Sequence, residues 1–282
     1  MISPRIALAT SADHPEGLGG EALLVKALLT RDARPEWVVW NDPAVDWTEY
    51  ALIVLRCTWD YPDHVDDFRA WVQSPAVATR LVNTPTLVLG NLHKGYLADL
   101  GELAVPTVVV PAGMTLDLTR MRWPSSVVKP AVGAGGVGAV REAGQADLDA
   151  LTLATTDPVD AVVQPYLWDV EHRGEISVIS IGRVMTHAVQ KLPAAGEFRI
   201  HDHFGGTAEL VEPEPAVVEL AHSTLDTLRS TPLYSRVDVL FDRDGPRVVE
   251  LELVEPYLYL EMAPEAAERL AGEIVHRAGE RS

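Results

Sequence analysis

The chain of 282 residues contains one cysteine, Cys57, so no internal disulfide can form. No apolar run approaches the ~18 residues that a membrane span needs. The short run from Ile6 to Ala9 lacks both a long signal core and a small-residue cleavage pattern, and reads as a first strand. These absences predict a cytoplasmic protein without a membrane partner. Positive charge is also scarce: 23 Lys and Arg face 41 Asp and Glu, a formal net charge of −18. A surface this acidic repels phosphate backbones, which excludes nucleic acid as an expected partner and favours solubility. An anionic ligand binds such a chain only where local cations, amides or metal ions overcome the background field. No internal repeat and no low-complexity tract interrupts the sequence. Apolar residues are plentiful, at 47%, enough for two or three compact units.

The first third alternates strands (6–9, 36–40, 51–55) with helices (20–31 and one starting at 66–72). That rhythm predicts a doubly wound parallel sheet with ligands at the carboxyl ends of its strands. Asn83-Thr-Pro85 marks the exit from this unit, and residues 92–103 read as one helix. The texture then changes. Strands are expected at 125–129, 138–141 and 161–163, with a helix at 147–154. Long hairpin strands follow at 175–181 and 184–191, then a helix at 216–229. A last hairpin, 235–241 and 247–253, is joined by Asp242-Arg-Asp-Gly-Pro246, and a terminal helix covers 265–278. The fold class expected is α/β followed by α+β.

Four constellations carry chemistry. In the last hairpin the turn centres near Asp244, so Asp238 lies opposite Glu250. Alternation then puts Val237, Val239, Phe241, Val249, Leu251 and Leu253 on one face, and Asp238, Glu250 and Glu252 together on the other. Clustered carboxylates repel unless a cation is present, and magnesium suits oxygen ligands shared with phosphates. Arg236 shares that face and could meet an anionic ligand. A solvent-facing polar side of a hairpin is the plainer alternative.

The second constellation is Lys129-Pro-Ala-Val-Gly133-Ala-Gly135-Gly136-Val-Gly138. By spacing it matches a dinucleotide fingerprint, which keeps a nicotinamide oxidoreductase open. The fingerprint should open a helix, whereas Ala-Val-Arg and Gly144 follow here. Two strands joined by a glycine loop whose amides cover phosphates are the other reading, with Lys129 as a point charge. Third, Gln164-Pro-Tyr166-Leu167 ends an apolar strand between two textures, where backbone groups could read an adenine edge. Fourth, Lys191 and Arg199 bracket a loop, two cations suited to the charge of phosphoryl transfer. The nearby His201-x-His203 pair could suggest zinc, but further ligands are not evident in the sequence. A substrate contact by His201 is the alternative.

The order of these features resembles the ATP-grasp superfamily, in the branch of glutathione synthetase and the glutamate ligase RimK, over residues 90 to 256. The resemblance implies an ATP-grasp fold with a doubly wound N-terminal domain (1–90), a connecting segment (91–124), a small lid (125–167) and a C-terminal domain (168–282). It implies that Lys94, on a helix, and Lys129 bind ATP phosphates, with Gly133, Gly135, Gly136, Gln164, Tyr166, Leu167 and Glu175 completing the nucleotide site. Arg199 would face the transferred phosphoryl group beside Lys191, and Asp238, Glu250 and Glu252 would hold two magnesium ions. Two departures stand out. Glu252 occupies the last metal position, where that branch has asparagine, and Glu255-Pro-Tyr-Leu-Tyr259 lacks its small-residue turn. Arg56-Cys-Thr58-Trp59-Asp60-Tyr61, with the stretch from Lys191 to Arg199, is similar to a group of ATP-grasp proteins that includes the cyclo-ligase of D-cycloserine biosynthesis, which closes O-ureido-D-serine.

The expected activity is an ATP- and magnesium-dependent ligase that makes an acyl phosphate from a small amino-acid carboxylate for attack by nitrogen, within one molecule or between two. Such chemistry needs positioning, cations and a dry site, with no covalent nucleophile, so Cys57 receives no role. Arg56, Thr58, Trp59, Asp60 and Tyr61 follow the third strand and are assigned to the substrate with Arg236 and His201. Arg56 would pair its carboxylate and Asp60 its amino group; packing of the domain junction by Trp59 and Tyr61 is the alternative. A non-catalytic nucleotide-binding protein is the competing class, and a homo-oligomer stays open.

Overall fold

Two strands, β1 (Arg5–Thr10) and β3 (Leu52–Cys57), carry Ile, Leu, Val and Ala with little polar alternation, the composition of parallel strands covered on both faces. The computed structural model describes residues 3–194, 196, 197, 199, 200 and 205–280. In it these strands pair in parallel with each other, with β2 (Arg34–Val39) and with β4 (Leu81–Val82), in the order β2-β1-β3-β4. Helix α1 (Glu21–Leu29) covers one face. Helices α2 (Val65–Gln73) and α3 (Pro75–Ala78) lie on the other side, where Trp40, Phe68 and Val72 pack on Ala7, Ile53 and Leu55. The doubly wound expectation holds.

The single helix expected over residues 92–103 is broken. Helix α4 (Pro85–Asn91) stops, and α5 (Tyr96–Asp99) restarts after a turn that carries Lys94. The Lys94 amide donates to Ala131 O at 2.7 Å, and the Gly95 amide donates to His93 Nδ1 at 3.0 Å. Both donors are thereby withdrawn from a helical ladder, so Lys94 sits in a turn and not on a helix.

A three-stranded antiparallel sheet follows, in the order β5 (Val108–Val110), β7 (Ala161–Pro165), β6 (Ser126–Pro130), with α6 (Gln145–Thr152) seated on it through Leu148. The strand expected at 138–141 is reduced to a single bridge between Val140 and Val128. Gly138 at φ +74° and Glu142 at φ +50° bend the chain on either side of it, so it cannot run extended.

After α7 (Val170–Arg173) come β8 (Glu175–Ile181), β9 (Val184–Leu192), β10 (Thr207–Val211), α8 (Pro215–Asp226), β11 (Tyr234–Asp242), β12 (Gly245–Glu252) and α9 (Pro264–Glu280). The sheet is antiparallel, ordered β10-β9-β8-β11-β12. Strand β10 was not expected; its Thr-Ala-Glu-Leu-Val is short, half-polar and at the sheet edge. Helix α9 leaves the large sheet and packs Leu270 and Ile274 against Leu24 and Leu28 of α1, in a core that also takes Ile179, Val189 and Tyr234.

In the last hairpin Asp238 pairs with Glu250 and Arg236 with Glu252, as the turn predicts. The register then shifts, and Val239 pairs with Val248. Val249 is the extra residue of this bulge. Val248 therefore takes the core position expected for Val249, while Val249 turns to the opposite face beside Leu240.

The N-terminal and C-terminal units are tied at Asn83, which is 1% exposed. Its side-chain amide donates to Tyr234 O at 3.0 Å and Leu253 O at 2.8 Å, and its oxygen accepts from the Leu233 amide. Asn83→Ala strands three buried backbone groups and is expected to lower stability by about 2–4 kcal/mol. A reduced chemical-denaturation midpoint checks this.

Candidate active site

The three units meet around a cavity of about 740 Å³, within the range of small-molecule sites. One end is apolar. Val127 on β6, Tyr166 and Leu167 after β7, Val170, Ile200, Leu240 and the bulged Val249 gather there. Gln164 is held by a bond from its side-chain nitrogen to Thr107 Oγ1 at 2.9 Å, and the Tyr166 hydroxyl donates to Glu171 at 2.7 Å. Flat apolar walls beside an inter-domain crossing suit an aromatic base.

The middle of the cavity is ionic. Arg236 grips Asp238 through two bonds of 2.9 Å and also bonds Glu252. Lys191 pairs with Glu175 and lies 3.5 Å from Asp238. Lys94 reaches Glu250 at 2.6 Å and donates to Gly133 O at 2.9 Å, which ties the glycine loop to the large sheet. The carboxylates do share one face, as expected. Their repulsion, however, is relieved by the protein's own cations, and among the described residues no group of three or more acids, histidines or cysteines is gathered as a metal cluster.

Burial shapes these charges. It pushes Glu252 up to about 7, with Glu250 and Asp238 adding to the rise against the pull of Arg236. Burial also lifts Glu175 to about 7, against Lys191 and with help from Asp238. For Asp238 burial is outweighed by Arg236 and Lys191, and the group falls below its ordinary range. Burial lowers Lys129, opposed by Glu250. Its ammonium has no hydrogen-bond or ion-pair partner among the described residues and lines the cavity below the glycine loop. Hard oxygen donors in excess, two of them raised by burial, are a donor set that suits magnesium. Arg199 also lines the cavity and bonds Glu197 at 2.7 Å. Gly135 and Gly136 adopt φ of +62° and +70°, which turns the loop over the ionic middle.

The third region lies at the carboxyl ends of β1 and β3, and here the substrate assignments divide. Trp59 and Tyr61 line the cavity. Arg56 does not: it is 1% exposed, its Nε lies 3.0 and 3.1 Å from the two Glu21 carboxylate oxygens, and it also donates to Pro256 O. Strand alternation turns it away from the crevice and into a buried pair, so it cannot meet a substrate carboxylate. Asp60 accepts from Trp40 Nε1 at 2.8 Å, which removes it from the site, and Thr58 is fully buried outside the cavity. Burial and Glu21 push the Cys57 thiol up to about 12, which leaves no thiolate nucleophile. His201, like Phe198 and His203, lies outside the described residues.

Several lining residues were not anticipated: His14, Asn91, Glu255, Tyr257 and Tyr259. His14 follows β1 at the carboxyl edge of the parallel sheet, a position that could have flagged it. Glu255 and Tyr257 occupy the stretch whose departure from the small-residue turn was visible in the sequence.

A family model described as the prokaryotic glutathione synthetase ATP-grasp domain matches residues 93–258. The chain belongs to the ATP-grasp family and is an ATP-dependent ligase, of a family that uses ATP and magnesium. Residues 6–83 match the model of the D-cycloserine synthetase DcsG N-terminal domain. The cycloserine biosynthesis protein DcsG of Streptomyces lavendulae is 30% identical over 98% of this chain and 97% of its own length. The crystal structure of D-cycloserine synthetase DcsG superposes with a TM-score of 0.84 at 28% identity, over 97% of this chain and 99% of that one. A glutathione synthetase of Rhodopseudomonas palustris is 28% identical over 82% of this chain and 74% of its own. No helix among the described residues is long and apolar enough to cross a membrane.

Lys129→Ala removes an unpaired cation at the mouth of the glycine loop without opening the core. ATP affinity is expected to fall roughly 10- to 100-fold, the worth of a charge-assisted contact, while the melting temperature without nucleotide stays near wild type. Titration calorimetry with ATP and magnesium reads the first, and a thermal melt the second.

Proposed function

We propose that this ligase is a cyclo-ligase that closes O-ureido-D-serine to D-cycloserine. The observation that supports the reading is the match of residues 6–83 to the D-cycloserine synthetase N-terminal domain. That segment supplies the substrate end of the cavity, whereas the ATP-grasp part is common to many ligases.

In this reading residues 1–90 hold the substrate, 91–124 connect, 125–167 form a lid, and 168–282 form the floor under the nucleotide. The base lies between Leu240, Val249 and the Gln164 to Leu167 crossing. Lys129, Lys94 and the amides of Gly133, Gly135 and Gly136 hold the phosphates. Asp238, Glu250 and Glu252 would hold two magnesium ions, and Glu175 belongs to the nucleotide site. Bound magnesium supplies charge neutralisation on the phosphates. Arg199 and Lys191 stabilise the transferring phosphoryl group, and Arg236 keeps Asp238 ionised and aimed.

A carboxylate is a poor electrophile because its leaving group would be oxide. Phosphorylation by ATP replaces that group with phosphate. The ureido nitrogen bonded to oxygen then attacks the acyl carbon, phosphate departs, and a five-membered ring forms. Loss of the carbamoyl group to water, as carbon dioxide and ammonia, gives D-cycloserine. The chain's task is to hold the two reacting ends together and exclude water.

Purified protein incubated with O-ureido-D-serine, ATP and magnesium is expected to yield D-cycloserine by mass spectrometry, with one ADP for each ring closed and none after chelation of magnesium. ADP release with other amino acids, and no D-cycloserine at high enzyme concentration, would replace this substrate with another.

A further inference from the structure

Five carboxylates face the cavity from the large sheet and the segment that leaves it: Glu175, Asp238, Glu250, Glu252 and Glu255. The first four each have a cationic partner among Lys94, Lys191 and Arg236. Glu255 has none. It is 7% exposed, and among the described residues its carboxylate makes no ion pair and no side-chain hydrogen bond to another residue. Burial, with Glu252 and Glu250 nearby, pushes this carboxyl well above its ordinary range, so left alone it holds a proton, and a cation arriving from outside the chain is what would ionise it.

Its surroundings select what that something is. The Glu255 carbonyl accepts from Trp59 Nε1 at 3.0 Å, which fixes the indole against this segment. The Trp59 ring stands edge-on to His14 at 5.1 Å and lies 6.4 Å from Tyr257. Tyr61 closes the side toward β3. The loop after β1 is pressed onto the same wall: a Cβ on Gly19 would collide with the Tyr257 hydroxyl. Aromatic faces attract an organic ammonium. They offer nothing to a magnesium ion, which needs oxygen ligands and retains its waters.

Position agrees with chemistry. In an α-amino acid the ammonium nitrogen is two bonds from the carboxyl carbon, so its seat must border the place where that carboxylate is phosphorylated. Glu255 lies three residues beyond Glu252, where the chain turns off the acidic face toward the carboxyl end of β3. We propose that Glu255, walled by Trp59, Tyr61 and Tyr257, seats the ammonium group of the substrate and makes the enzyme select amino acids over acids that lack the amine. The proposal deepens the ligase reading above and rests on it; Glu255 takes the role that the sequence had given to Asp60.

Glu255→Gln keeps the shape and removes the charge. Steady-state ADP release is compared for O-ureido-D-serine and its des-amino analogue, 3-(ureidooxy)propanoate, in wild type and variant. Wild type is expected to prefer the amine about 10- to 100-fold, the range of a charge-assisted contact. The variant should lose that preference through a raised KM for O-ureido-D-serine, with the KM for ATP and the magnesium requirement within about twofold of wild type. Two results overturn the proposal: a wild type that treats the pair alike, which needs no variant to be made, or a variant that keeps the preference. A higher magnesium requirement with the preference intact would identify Glu255 as a metal ligand instead. If wild type does not turn over O-ureido-D-serine, the D-cycloserine reading alone falls. The same comparison then runs on D-serine against 3-hydroxypropanoate and D-alanine against propanoate. An amine preference lost in E255Q sustains the proposal, and no amine preference in either pair overturns it.

Discussion

The molecule depends on keeping a dense set of opposite charges in balance inside a site that must exclude water. On the cavity face of β11 and β12 the carboxylates depend on their cations: burial lifts Glu252 to about 7 even with Arg236 bonded to it, whereas Arg236 and Lys191 draw Asp238 below its ordinary range. Arg236 is the pivot. It holds Asp238 with both ends of its fork and Glu252 with one, a geometry that lysine could not reproduce. The large antiparallel sheet is the framework that makes such placement possible. Strands β8, β9 and β11 deliver Glu175, Lys191, Asp238 and Arg236 to one face at fixed spacing, while their other side chains bury Val178, Val237 and Val239 beneath.

The N-terminal domain is bound to this framework by groups that look functional in sequence and are structural in space. Arg56 and Glu21 form a pair inside the junction, and Arg56 extends it to Pro256 O on the segment just past the acidic face. Asn83 performs a matching task at the start of β11 and the end of β12, and the Tyr234 hydroxyl lies within bonding distance of both Leu55 O and Val254 O. The segment that carries Glu255 and Tyr257 is therefore positioned by the N-terminal domain as much as by the sheet it leaves. Substrate end and phosphate end are held in one frame.

The sequence was legible where a pattern has one physical meaning. The alternation of β1, α1, β2 and β3 could only be a parallel sheet, and the Asp-Arg-Asp-Gly turn set the pairing of Asp238 with Glu250. It was illegible where a tertiary contact decides. Gly95 and His93 are local signs of a break in residues 92–103, but nothing there announces that Ala131 O will take the Lys94 amide. Nothing in the hairpin announces the bulge at Val249, because Val248 and Val249 are the same residue type and either could face the core. Arg56 and Asp60 were misjudged because proximity to a strand end does not say which way a side chain turns. Glu21 and Trp40, their partners, lie 35 and 20 residues away.

The bulge at Val249 has a consequence for scale. Along β11 the cavity-facing residues are Arg236, Asp238 and Leu240, cationic, acidic and apolar in turn. Alternate residues of a strand stand roughly 6.6 Å apart, so these three span about 13 Å. Without the extra residue, β12 would set Val248 against that apolar end and return Val249 to the core. Either valine keeps that end apolar, so both strands change character at the same height. The hairpin thus works as a ruler with matched graduations on its two edges. Slipping one edge by a single residue would leave every side chain in place along its own strand and yet set oil against charge across the whole width of the site.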